Sequence, residues 1–123
     1  MTPTDYVTTV FDGKSNPEKV TVTFTMALNA VLKGYSSTVI LMVEAVELGK
    51  PDAMKGMDIG APFEPVQDLL EKYLEKGGQV AICGACMIHN GMNAGQMDPR
   101  YPVITAPDVI DLLMGAKGSL QVT

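Results

Sequence analysis

The stretch Gln79-Val80-Ala81-Ile82-Cys83-Gly84-Ala85-Cys86-Met87-Ile88-His89-Asn90-Gly91-Met92 holds both cysteines and the single histidine of the chain. Val80-Ala81-Ile82 is a short apolar run preceded by Gly77-Gly78, the pattern of a buried strand. The run breaks at Cys83-Gly84, and a stretch long enough for one or two helical turns follows before Gly91. A strand that ends in a thiol and turns into a helix sets that sulfur beside unpaired backbone N–H groups. Those groups and the helix dipole favour an anion, so the sequence predicts a Cys83 held toward thiolate.

Outward from this stretch the chain alternates. Upstream, Val66, Leu69, Leu70, Tyr73 and Leu74 mark an amphipathic helix that Gly77-Gly78 ends. Before it runs an irregular segment, Pro51 to Pro65, of a length that often serves as a lid or an interface. Thr38-Val39-Ile40-Leu41-Met42-Val43 is continuously apolar after its first residue, the mark of a strand covered on both faces, with Glu44 at its expected end. Asn16-Pro17-Glu18 reads as a helix start, followed by Val20, Phe24, Ala27, Leu28 and Val31 at helical spacing and a stop at Gly34. Val20 to Thr25 also alternates like a strand, but cap, stop and length together favour helix. Tyr6-Val7-Thr8-Thr9-Val10-Phe11 is a first strand that halts at Asp12-Gly13.

Downstream, Met97-Asp98-Pro99-Arg100 is turn-like and Tyr101-Pro102-Val103-Ile104-Thr105 reads as a fourth strand. Pro107-Asp108 starts a helix with apolar positions Val109, Ile110, Leu112 and Leu113, ended by Gly115, and Ser119-Leu120-Gln121-Val122 is a short last strand. Strand–helix four times with a closing strand predicts a single α/β layered domain over residues 1–123, built on a parallel sheet. Ligands collect at the carboxyl ends of strands in such sheets. Asp12, Gly13, Glu44, Gly84, Ala85, Asn90, Gly91 and Thr105 are the candidate substrate-binding residues there, beside Cys83.

Composition narrows the function. Hydrophobic residues are 46% and charged residues 19% of 123, which suits a well-buried domain rather than a disordered chain. The net charge of −5 and the lack of any Lys/Arg cluster argue against nucleic acid, anionic membrane and polyphosphate as partners. No apolar run approaches the ~20 residues of a membrane span. Met1-Thr2-Pro3-Thr4-Asp5 lacks a basic and a long apolar region, so a cytoplasmic, reducing location is expected. There a C-x-x-C pair is more often reactive or metal-binding than a structural staple.

Cysteine at a strand end is also a common small buried hydrophobe. Cys86 three residues on and His89 three beyond that shift the balance, because positions three apart on a helix share a face. Two thiols on one helical turn can exchange or form a disulfide, and an imidazolium nearby stabilises a thiolate. Cys83, Cys86 and His89 are therefore the candidate catalytic residues. As metal ligands they are only three where structural zinc takes four, so no metal and no cofactor are expected. Met26, Met42 and Met114 fall on predicted core faces; Met54, Met57, Met87, Met92 and Met97 are read as packing or subunit-contact residues. A thioredoxin-type reading would need a proline facing the pair, for which Tyr101-Pro102 is the candidate. No GxGxxG or GxSxG occurs.

The order of elements, with a cysteine closing the third strand and a glycine eight positions later, resembles the DsrE/DsrF-like family, which includes sulfur-relay subunits. Cys83 and Gly91 carry that spacing, with Ala85 and Cys86 between them, and the resemblance runs from Tyr6 to near Val122. It implies a three-layer α/β/α domain with a five-stranded parallel sheet, assembled as a homotrimer or homohexamer. It also implies that Cys83 matches the cysteine that holds a persulfide and passes its outer sulfur onward, so sulfur donor and acceptor proteins are the implied partners. Relay subunits often carry basic residues before the glycine, where this chain has His89-Asn90, and Cys86 adds a thiol able to discharge a persulfide as an internal disulfide. The alternatives are a thiol-disulfide redox protein or sensor cycling Cys83–Cys86, and a non-catalytic oligomeric binding module.

Overall fold

The computed structural model describes residues 1–123. The elements are β1 (Tyr6–Val10), α1 (Pro17–Leu32), β2 (Ser37–Leu41), α2 (Val66–Glu75), β3 (Gln79–Cys83), α3 (Gly84–His89), β4 (Val103–Ile104), α4 (Ala106–Gly115) and β5 (Gly118–Val122). All strands pair in parallel in the order β4-β3-β2-β1-β5. Right-handed crossovers from β1 out to β3 carry α1 and α2 over one face, and the return from β4 to β5 carries α4 over the other. The result is a three-layer α/β/α fold on a five-stranded parallel sheet.

Period-two alternation divides the core. Val10, Val39, Leu41, Val80 and Ile82 face α1 and α2, where Val20, Phe24, Leu28, Leu69, Leu70 and Tyr73 meet them in the larger cluster. Val7, Ile40, Ala81 and Ile104 point the other way, against Val109 and Leu112 of α4. Each such fully buried side chain contributes about 1.5–3 kcal/mol, and a one-residue slip would expose a whole set, so the register is fixed. All five residues of β2, the central strand, are buried.

The ambiguous stretch Val20–Thr25 is helical, and the reason is visible. Asn16 caps the helix, its side chain accepting the Lys19 N–H at 3.3 Å. The hydroxyls of Thr21, Thr23 and Thr25 each donate to the carbonyl four residues back, at 2.7–2.8 Å. Internal hydrogen bonding lets threonine occupy a buried helical face that its β-propensity disfavours.

Several expectations are corrected. β2 ends at Leu41, so Met42-Val43 is not strand, and Val43–Gly49 forms a 3-10 segment. Residues 51–65 run mostly exposed but are pinned to the core by Met54 and Met57, which insert into the larger cluster. The predicted fourth strand shrinks to two residues, although Pro102 still accepts the Ile82 N–H at 2.9 Å through its carbonyl. Met26 and Met114, placed in the core by spacing, are 47% and 81% exposed, and Ile110 is 58% exposed. A lone ten-residue helix buries only Val109 and Leu112 and leaves its other apolar side uncovered.

Candidate functional site

Gly84 makes the turn from β3 into α3. A Cβ there would lie 3.1 Å from Val103 Cγ1 and 3.2 Å from the Ile104 carbonyl oxygen, so the corner has room for glycine alone without movement of β4. Cys83 occupies the cap position and Cys86 the third helical position, one turn away. Met87, buried in the larger cluster, anchors the helix, and Gly91 ends it with φ +79°.

A surface cavity of about 350 Å³ opens at this helix, lined by Val43, Ala85, Cys86, His89 and Asn90. Cys86 and His89 thus share a face, as their spacing predicted. Asn90 joins the two walls, its Nδ2 donating to the Cys86 carbonyl at 2.8 Å and to the Val43 carbonyl at 3.4 Å. Val43 sits at φ +54°, a left-handed conformation. That geometry costs a β-branched residue on the order of 1–3 kcal/mol and is found where surrounding structure enforces it.

The two cysteines, both free, differ in exposure. Cys83 is 5% exposed and does not line the cavity, whereas Cys86 is half-buried and does. Burial pushes the Cys83 thiol up, against the pull of the Cys86 and Ala85 backbone N–H groups, and the adjacent Cys86 thiol adds to the rise. The expected thiolate at Cys83 is therefore corrected. The N–H groups are present, but they close no capping hydrogen bond to the sulfur, and desolvation outweighs them.

The remaining sequence candidates lie apart from the cavity. Asp12 pairs with Lys19 at 3.1 Å, and Lys19 also donates to the Thr123 carbonyl at 2.7 Å. Gly13 lies under the Glu47 carboxylate, which accepts the Lys14 N–H at 2.7 Å, and Glu44 accepts from Ser15 at 3.3 Å. The crevice beside β1 and β5, where strand order reverses, is thus bridged by the protein's own side chains. Thr105 caps α4 in a reciprocal box with Asp108. Pro102 lines a second cavity of about 350 Å³ with Met1, Gln79 and Arg100, at the opposite ends of the strands, and so does not face the thiols. Arg100, the only charged side chain lining it, is already paired with Asp98 and Glu71. No three His, Cys, Asp or Glu side chains converge as a metal site, so Cys83, Cys86 and His89 do not form one. Sequence reasoning missed Val43. The strand-end position points to its neighbour Glu44, and nothing in an apolar run signals that one valine will adopt positive φ.

The architecture and this site define a class: a five-stranded parallel α/β domain with a thiol pair where the third strand becomes a helix. The chain belongs to the DsrE/DsrF-like family, whose pattern matches residues 5–117 and which is in general related to sulfur relay. Among solved structures it is similar in fold to the YchN protein of E. coli, with TM-score 0.74, 17% identity and coverage of 95% of this chain and 97% of that one. A conserved protein of unknown function from Bacteroides thetaiotaomicron matches with TM-score 0.59 and 19% identity over 96% of this chain and 95% of that one. An uncharacterised protein of Methanocaldococcus jannaschii is 27% identical over 104 residues, which cover 82% of this chain. The matched part is 36% of that protein's length, so the chain spans about a third of its relative.

Proposed function

We propose that the chain is a sulfur carrier that accepts sulfane sulfur as a persulfide on Cys83 and passes it to a partner thiol. The observation that carries this reading is the pair of free thiols at the cap and third positions of α3, one of them opening into a cavity. A persulfide sets its outer sulfur one S–S bond, about 2.05 Å, beyond the Cys83 thiol position, so the sulfur to be passed on extends further from the backbone than the thiol itself. The Ala85 and Cys86 N–H groups that favour negative charge on the thiol favour it on a persulfide there as well. The cavity wall holds no lysine or arginine, which favours an uncharged or protein-borne sulfane donor over a dianion such as thiosulfate.

A homotrimer or homohexamer belongs to the same proposal. Ile88, Ile110 and Met114 are 70%, 58% and 81% exposed, and exposed apolar side chains of this size are what an interface between copies would cover. The proposal also places the chain in the reducing cytoplasm, where both thiols stay free. No helix is long and apolar enough to cross a membrane.

The test is incubation of the reduced protein with a low-molecular-weight persulfide, followed by intact-mass and peptide-level mass spectrometry. The proposal expects one added sulfur atom per chain on Cys83, removable by a dithiol. A protein that gains no sulfur and only cycles a two-electron Cys83–Cys86 disulfide would be a redox protein instead.

A further inference from the structure

The half-buried Cys86 is open to the cavity and Cys83, one turn back, is not. A donor reaching the site meets Cys86 first, between Val43, His89 and Asn90. Cys83, at the cap position of the same helix, is covered, and the Cys86 thiol is among the groups that push its thiol up. This ordering is the reverse of a single-cysteine carrier, in which the storing thiol is also the attacking one.

We infer that Cys86 is the receiving thiol and Cys83 the storing thiol, so that the pair is an internal two-step relay. The inference rests on the persulfide reading above and adds the route by which sulfur enters. In the first step the Cys86 thiolate attacks the outer sulfur of a donor persulfide. The Cys86–sulfur bond forms, the donor S–S bond breaks, and the donor leaves as a thiolate that takes up the proton Cys86 lost. In the second step the Cys83 thiolate attacks that same outer sulfur. The Cys83–sulfur bond forms, the Cys86–sulfur bond breaks, and Cys86 departs as a thiolate that takes the proton Cys83 gave up. Each step exchanges one S–S bond for another at unchanged oxidation level, so no reductant is consumed.

The geometry supports each part. Positions three apart on a helix bring their side chains together, which makes the transfer intramolecular. His89 lines the same cavity as Cys86, three residues further along the helix. Val43, fixed in its left-handed conformation and tied to α3 through Asn90, keeps the opposite wall in place. Storage at Cys83 shields the loaded sulfur from stray thiols, because only 5% of that residue's surface is open.

The experiment compares parent, Cys86→Ser and Cys83→Ser with cysteine persulfide as probe under anaerobic conditions. Samples are quenched over time by alkylation and mapped by mass spectrometry, with thermal melts confirming that each variant folds; Cys86→Ala is the second variant if Cys86→Ser does not. The relay expects sulfur on Cys86 early and on Cys83 at the end point in the parent. It expects Cys86→Ser to load at least ~10-fold more slowly, the cost of sending the donor to a covered thiol. Cys83→Ser should carry its sulfur on Cys86 alone, never show the later transfer, and lose that sulfur faster to added thiol than the parent does. Loading of Cys86→Ser at the parent's rate would overturn the inference. So would sulfide release with closure of a Cys83–Cys86 disulfide in the parent, or sulfur that remains on Cys86. A parent that takes up no sulfur defeats the carrier reading itself, a separate result.

Discussion

Alkylation of the native protein with iodoacetamide, followed thiol by thiol as pH rises, probes the asymmetry on which the site depends. Cys83 keeps 5% of its surface exposed, so its collision rate with a small reagent should fall about twentyfold from that of the unfolded chain. Only thiolate reacts, and a free cysteine with pKa about 8.5 is roughly 10% thiolate at pH 7.5. Burial lifts Cys83 above the usual value, so its thiolate fraction is smaller still and the two factors multiply. The expected protection of native Cys83 over the same residue in urea is therefore at least ~20-fold. Cys86, which lines the cavity, should label first. The Cys83 rate should also keep climbing beyond the pH at which the unfolded thiol levels off. Peptide mapping after timed quenching reads both rates. Equal rates for the two thiols in the native protein, or a Cys83 rate that levels off below pH 8, would refute the reasoning.

The same shift has a stability consequence: a pKa raised on folding contributes stability below the unfolded thiol value and loses it as pH rises through the folded one. Urea midpoints should therefore fall above about pH 8.5, and less steeply in Cys83→Ser. On the acid side, Arg100 holds the Asp98 carboxyl below the usual range, so its contribution is present above the unfolded value and lost as pH falls. Asp98→Asn should be less stable at pH 7 and flatter toward pH 3, and a parallel pair of curves would contradict this. Tyr73→Phe removes a fully buried hydroxyl that donates to the Gln79 carbonyl at 2.9 Å and accepts from the Ser37 hydroxyl at 3.0 Å. The loss should be about 1–3 kcal/mol in chemical denaturation, and a change under 0.5 kcal/mol would count against that network. At Val43, glycine should exceed alanine in stability by about 1–2 kcal/mol, the reverse of the ordinary order, because only glycine relieves the left-handed backbone. Alanine equal to or above glycine would contradict the enforced conformation.

The sheet and its layers were legible because they depend on patterns the chain writes locally. The apolar run after Thr38 marked the central strand, Asn16-Pro17 marked a helix start, and Gly77-Gly78 separated α2 from β3. The spacing of Cys86 and His89 foretold that they share a cavity wall. What was not legible is non-local. Whether Cys83 is charged depends on how completely other elements cover it, and a strand-end position gives the N–H donors without the burial that outweighs them. Asp12, Gly13 and Glu44 sit at strand ends as expected, yet Lys19, Glu47 and Ser15 engage them or cover them, which only the packed structure shows. Met26 and Met114 had helical spacing, but the face they occupy is left open by this chain's own elements.

The central claim is that sulfane sulfur comes to rest on Cys83, and mass spectrometry of the reduced protein after treatment with a persulfide donor tests it most directly. The account predicts a gain of one sulfur atom per chain, placed on Cys83 and not on Cys86 by fragment ions, because no Lys or Arg separates the two; sulfur resting on Cys86 at the end point would count against it. An unchanged mass, with both thiols recovered free, would contradict it.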